Sequence, residues 1–113
     1  MASIPQCRAA IDRIGERLSE IDEEKRREHI VERSVTLRLS DLDAGFDFRL
    51  THGGLVDVRD STSNGRAQVR ITISSDDLVK LADERLGFAA AVLSGRAKVK
   101  ASIPDMLRLR KLL

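Results

Sequence analysis

The sequence has no tryptophan, no tyrosine and only three phenylalanines in 113 residues. A sheet surface that stacks nucleic-acid bases needs exposed rings, and this chain has almost none to offer. One cysteine, Cys7, excludes an intramolecular disulfide and any multi-cysteine metal site. That usage suits a reducing compartment, and a cytoplasmic location is expected. Two histidines, His29 and His52, are not spaced with acids or with Cys7 as metal ligands. Neither sign of charge dominates: 20 Lys+Arg stand against 18 Asp+Glu. This balance argues against an ordinary basic nucleic-acid domain. Long apolar runs are missing too, so neither a membrane-spanning helix nor a secretory leader is expected.

What is there is patterned. Hydrophobic residues make up 42% of the chain and charged residues 34%, the balance of one folded domain. Cys7, Ile11, Ile14, Leu18 and Ile21 recur at spacings of four and three, which predicts a helix with one apolar stripe. That stripe either lies on a sheet or forms a short coiled-coil seam. It fails after Ile21, so Asp22 to Glu28 is expected to be a solvated continuation or a loop within an N-terminal helical region, 1–31.

From Val35 the period becomes two. Val35, Leu37 and Leu39 alternate with polar residues, as do Phe46, Phe48 and Leu50, then Val56 and Val58, then Val69, Ile71 and Ile73. Four half-buried strands over 35–73 are expected. Asp43-Ala44-Gly45, His52-Gly53-Gly54 and Ser63-Asn64-Gly65 supply the turns. His52, in a glycine-rich turn, is expected to be solvated. Ser74-Ser75-Asp76-Asp77 is a helix start, with a serine cap and acids matched to the helix dipole. Two helices over 76–94 follow, with Gly87 read as a stop, then a fifth strand over 96–101 and a last helix over 104–113 opened by Pro104. Strands with one polar face require helices on the other. The fold class is therefore α+β: two layers, with a mainly antiparallel sheet of about five strands and helices packed on one face.

This order of elements resembles the sterol carrier protein type-two, or nonspecific lipid-transfer, domain. The likeness is most specific in the second half. There Val69–Ile73 runs into Ser74-Ser75-Asp76-Asp77-Leu78, an alanine-rich helix ends at Leu93-Ser94-Gly95, and the basic strand Arg96-Ala97-Lys98-Val99-Lys100 follows. Ala101-Ser102 stands where the family often has Gly-Asp. The resemblance implies a five-stranded sheet and an apolar tunnel that takes fatty acids, acyl-CoA, sterols or other apolar small molecules. It implies binding and carriage without chemistry, and no cofactor.

An apolar ligand needs a concave apolar surface. On the strands, Phe46, Phe48, Val69, Ile71 and Val99 are expected to face it. On the helices the expected residues are Leu78, Leu81, Phe88, Val92, Leu93, Met106 and Leu109. Ala89, Ala90 and Ala91 either let a helix pack closely or leave space as a cavity wall. The C-terminal part from Arg96 carries six basic residues against one acid, Asp105. It is either a solvated face or a contact with an anionic membrane. Ser74-Ser75 lacks a nucleophile elbow, and Cys7 on an apolar stripe reads as packing. The functions left open are a lipid carrier, a dimerisation or interaction module with the same fold, and a small enzyme with a greasy substrate. A homodimer is compatible with each, and nucleic acid is not an expected partner.

Overall fold

Ser3 starts the first helix by a reciprocal cap. Its hydroxyl accepts the Gln6 N–H at 3.2 Å, and the Gln6 side chain accepts the Ser3 N–H at 2.7 Å. Pro5 occupies the first turn, where no N–H is missed. In the computed structural model the chain is described over residues 1–61 and 66–112, with side chains for all of these but His29 and 108–112. Helix α1 spans Ile4–Glu20 and buries Cys7, Ala10 and Ile11. Burial pushes the Cys7 thiol up in pKa, and the nearby carboxylates of Asp41 and Asp76 push the same way.

The charged stretch after Ile21 is a separate short helix, α2 (Glu23–His29), rather than a continuation. Ile21 and Asp22 are extended and break the first helix, and a Glu23–Arg27 pair at 3.0 Å spans one turn of the second.

Five strands follow the period-two segments: β1 (Arg33–Leu39), β2 (Ala44–Thr51), β3 (Gly54–Asp60), β4 (Val69–Ile73) and β5 (Ala97–Lys100). Their order across the sheet is β3-β2-β1-β4-β5. All neighbours are antiparallel except β1 and β4, which run parallel with Val35 beside Val69 and Leu39 beside Ile73. The chain thus leaves the β3 edge and re-enters on the far side of β1. The predicted turn Ser63-Asn64-Gly65 lies outside the described residues.

One strand departs from simple alternation. The β2–β3 register shifts between Asp47 and Arg49, and Asp57 adopts φ 56°. This bulge turns Leu55 and Val58 toward the core and leaves Val56, read from sequence as an inward partner of Val58, 39% exposed.

Helix α3 (Ser75–Ala82) is capped by Ser74, whose hydroxyl accepts the Asp77 N–H at 3.2 Å. It ends at Asp83, and Gly87 instead opens the six-residue helix α4 (Phe88–Leu93). The last helix, α5 (Ile103–Leu112), begins at Ser102, whose hydroxyl accepts the Asp105 N–H at 3.3 Å and whose carbonyl accepts the Met106 N–H at 2.9 Å. Ser102 therefore supplies the cap where the resemblance led to expect Gly-Asp.

The helices cover the sheet face bearing Leu37, Leu39, Phe46 and Ile73. Arg38, Arg49, Arg70, Lys98 and Lys100 lie exposed on the other face. The expected two-layer α+β domain is the one observed, with one parallel pair in its sheet.

Candidate functional site

Between the layers the packing is incomplete. A cavity of about 200 Å³ remains, and among the described residues fifteen of its seventeen wall residues are apolar. The alternation of each strand explains the sheet side of the wall. Val35 and Leu37 from β1, Phe48 and Leu50 from β2, and Val69, Ile71 and Ile73 from β4 share one face, joined by Leu55 at the bulge of β3. The helical side consists of Ile11 and Ile14 from α1, Leu78 and Leu81 from α3, and Phe88 at the start of α4. Ile30 and Val31, just before β1, close the end next to Arg33. From Arg33 to Leu37 the wall runs about 13 Å along β1 at the usual strand rise.

Two wall residues are charged, and they are paired. Arg33 lies two residues before Val35 and so shares its inward face. Its Nε donates to both carboxylate oxygens of Asp105, at 3.1 and 3.0 Å, and its Nη1 donates to the Glu32 carbonyl at 2.8 Å. The pair is largely out of water, with 25% of the Arg33 side chain and 9% of the Asp105 side chain exposed. Asp105 sits in the first turn of α5, so the pair ties that helix to the start of the central strand. His52 secures the adjoining segment. Its Nε2 lies 2.8 Å from the Ile30 carbonyl, which requires the proton on Nε2, and the side chain is half-buried rather than solvated.

Six residues singled out in the sequence stand in this wall: Phe48, Val69, Ile71, Leu78, Leu81 and Phe88. The others stand elsewhere. Phe46 is buried in the closely packed part of the core, beside Leu37 in the β1–β2 register. Val92 is half-buried against the core, outside the wall. Leu93 is 88% exposed, because α4 turns Ala91 inward and a residue two positions on points the opposite way. Val99 pairs with Ile71 on the edge strand but lies beyond the wall. Met106 is 38% exposed and outside the wall, since its neighbour Asp105 holds the inward position on α5. The Leu109 side chain lies outside the described residues. Of the three alanines, Ala91 is fully buried in the core cluster, Ala89 is half-buried and Ala90 is exposed, and none lines the cavity.

The sequence did contain signals for most of the wall residues it left unassigned. Ile11 and Ile14 belong to the α1 stripe, and Val35, Leu37, Leu50 and Ile73 to strand alternations. Ile30, Val31 and Asp105 had no periodicity to place them. Outside the cavity, a second hollow of about 240 Å³ on the open sheet face is polar, with Thr36, Asp47, Arg49, Asp57, Arg59 and Arg66 in its wall. Of the basic C-terminal residues, Arg96, Lys98 and Lys100 are exposed. Among the described residues no group of three His, Cys, Asp or Glu is placed to hold a metal ion, and no helix is long and apolar enough to cross a membrane.

A five-stranded sheet covered on one face by helices, with an apolar space between, is the architecture of sterol-carrier domains. A model of the SCP-2 sterol transfer family matches residues 11–113, and the chain belongs to that family. No curated protein matches it in sequence. Among solved structures, palmitated sterol carrier protein 2 like 2 from Aedes aegypti is similar with a TM-score of 0.66 at 16% identity, over 98% of this chain and 94% of that one. The sterol carrier protein domain 2 of Helicoverpa armigera gives 0.63 at 17% identity, over 99% and 91%. The sec-alkylsulfatase Pisa1 from Pseudomonas sp. gives 0.60 at 21% identity over 88% of this chain, which spans only 15% of that enzyme. At these identities the likeness is one of fold.

Proposed function

We propose that this chain is a lipid or sterol carrier domain that holds an apolar ligand between its sheet and its helices. The observation that carries the reading is the cavity of about 200 Å³ with its fifteen apolar wall residues. A space with such walls gains by being filled with apolar groups. Each methylene transferred into it contributes about 0.8 kcal/mol, so ten approach roughly 8 kcal/mol before the entropy of association is subtracted. The space is smaller than the roughly 300–1,000 Å³ of drug-sized ligand sites. It therefore suits a single apolar chain, and a sterol would require the helices to move outward. Membership of a sterol transfer family and the palmitated Aedes aegypti relative favour an apolar ligand, whatever its end group. Among the described residues the two charges of the wall, Arg33 and Asp105, are paired with each other, which favours carriage over catalysis.

Native mass spectrometry of the purified chain, together with titration by the neutral probe diphenylhexatriene, tests this reading. A co-purified lipid or saturable probe binding is expected. Phe88→Trp and Ile71→Trp, which fill the cavity from opposite walls, should abolish binding in variants that still melt cooperatively. An empty dimer that ignores the probe would favour an interaction module instead.

A further inference from the structure

Among the described residues Arg33 is the one cation in a wall that is apolar apart from it and Asp105, and an arginine in such a place ordinarily selects an anion. Here its charge is already matched. Asp105 takes the Nε–H between its two oxygens, and the Glu32 carbonyl takes one Nη1–H. A guanidinium has five N–H groups. The remaining N–H groups of Arg33 have no partner among the described residues. They can donate to a ligand oxygen that brings no charge of its own.

A carboxylate arriving at the same place meets different physics. It would stand beside the Asp105 carboxylate, whose side chain is 9% exposed, where like charges are poorly screened. Displacing Asp105 is no cheaper. That carboxylate would lose the guanidinium while still buried, and α5, which carries it in its first turn, would lose its tie to β1.

We infer that the site selects apolar molecules ending in a neutral oxygen, a hydroxyl or an ester, over those ending in a carboxylate, with Arg33 and Asp105 as the residues that set this preference. The inference rests on the carrier reading and narrows it. Fatty alcohols, esters and hydroxylated ring systems share the required chemistry. Free fatty acids do not.

The test is displacement of bound diphenylhexatriene by dodecanol, methyl dodecanoate and dodecanoate at about pH 8, well above the carboxyl range. Each ligand is corrected for its own partition into a neutral octyl glucoside micelle. Dodecanol and the ester should displace the probe at concentrations about tenfold lower than dodecanoate, a difference of about 1.4 kcal/mol. Asp105→Asn keeps an oxygen for Arg33 but removes the competing charge, and should bring dodecanoate level with dodecanol or ahead of it. Arg33→Met removes the donor and should weaken dodecanol and methyl dodecanoate alike. Equal or tighter displacement by dodecanoate in the unaltered chain would overturn the inference and leave the carrier reading standing. Failure of the probe and of all three ligands to bind would overturn the carrier reading, and the inference with it. If Asp105→Asn fails to fold, the corrected ratio in the unaltered chain still decides.

Discussion

Asp41 and Ser75 lock together at the start of α3. The Ser75 hydroxyl donates to Asp41 Oδ2 at 2.6 Å, its backbone N–H donates to Oδ1 at 2.9 Å, and the same hydroxyl accepts the Ala2 N–H at 3.0 Å. One fully buried serine thus joins the β1–β2 turn, the segment before α1 and the first turn of α3. The Ser75 hydrogen bonds hold the Asp41 carboxyl below the usual carboxylate range. A depressed carboxyl stabilises the fold above its unfolded pKa, and that contribution is lost as pH falls through the folded value. Asp41→Asn should therefore be less stable than the unaltered chain in urea at neutral pH. The gap should begin to narrow below about pH 4, the ordinary Asp range, and go on narrowing as the pH falls further. A gap that stays constant down to acid pH would show that the charge of Asp41 is immaterial. Ser75→Ala, which leaves the Ala2 N–H without this partner, should cost about 1–3 kcal/mol.

The cavity makes two core substitutions behave oppositely. Leu39 is fully buried in closely packed surroundings, and Leu39→Ala should cost about 2–5 kcal/mol. Val35 is almost as buried but borders the open space, so Val35→Ile should leave stability unchanged or raise it by up to about 0.8 kcal/mol. The same variant should weaken binding of diphenylhexatriene. Urea denaturation checks both values. A clear loss of stability in Val35→Ile would mean that the space is filled in solution.

Arg17 couples α1 to the end of α3. Its Nη2 donates to the Leu81 carbonyl and its Nη1 meets the Glu84 carboxylate, each at 2.9 Å. The carbonyl bond is half-buried, whereas Glu84 is mostly exposed. Most of the stabilisation should come from the carbonyl. Arg17→Ala should lower stability by about 1 kcal/mol, Glu84→Gln by less than about 0.5 kcal/mol. Lysine cannot reach both partners as a planar fork does, so Arg17→Lys should recover little. Thermal melts at low and high salt separate the two contributions, since only the exposed pair is screened.

Two glycines predict contrasting results. A Cβ on Gly45 would lie 2.7 Å from the Leu37 carbonyl oxygen, across the β1–β2 pair. Backbone must shift to admit it, and Gly45→Ala should cost about 1–3 kcal/mol. Gly87, the first residue before α4, has open space at its Cβ and φ −77°. Gly87→Ala should stay within about 0.5 kcal/mol of the unaltered chain. Circular-dichroism melts of the pair check the contrast.

Much of the architecture was legible in one dimension. Val35, Leu37 and Leu39 announce a strand by alternation, and Cys7, Ile11 and Ile14 a helix stripe by spacing, because backbone geometry alone decides which side chains share a face. Six of the twelve residues singled out for the site stand in the cavity wall for that reason. The misplacements follow from features without a local period. Val56 was carried outward by the bulge at Asp57, and Leu93 by the rotation of a helix too short to display a pattern. Asp105 stands as an isolated acid among basic residues with no local period to give it a role, and its partner Arg33 is 72 positions away.

The sequence by itself determined the type and order of the elements, their apolar faces, and the scarcity of rings to fill the space between them. Only the tertiary structure decided how those faces meet: that β4 enters parallel beside β1, that Phe46 and Ala91 pack closely while Phe48 and Phe88 border a void, and that one ion pair stands in its wall. The physical reason is that periodicity is a property of consecutive residues. A cavity is the mismatch in volume between elements distant in the chain, and it exists only after they have packed.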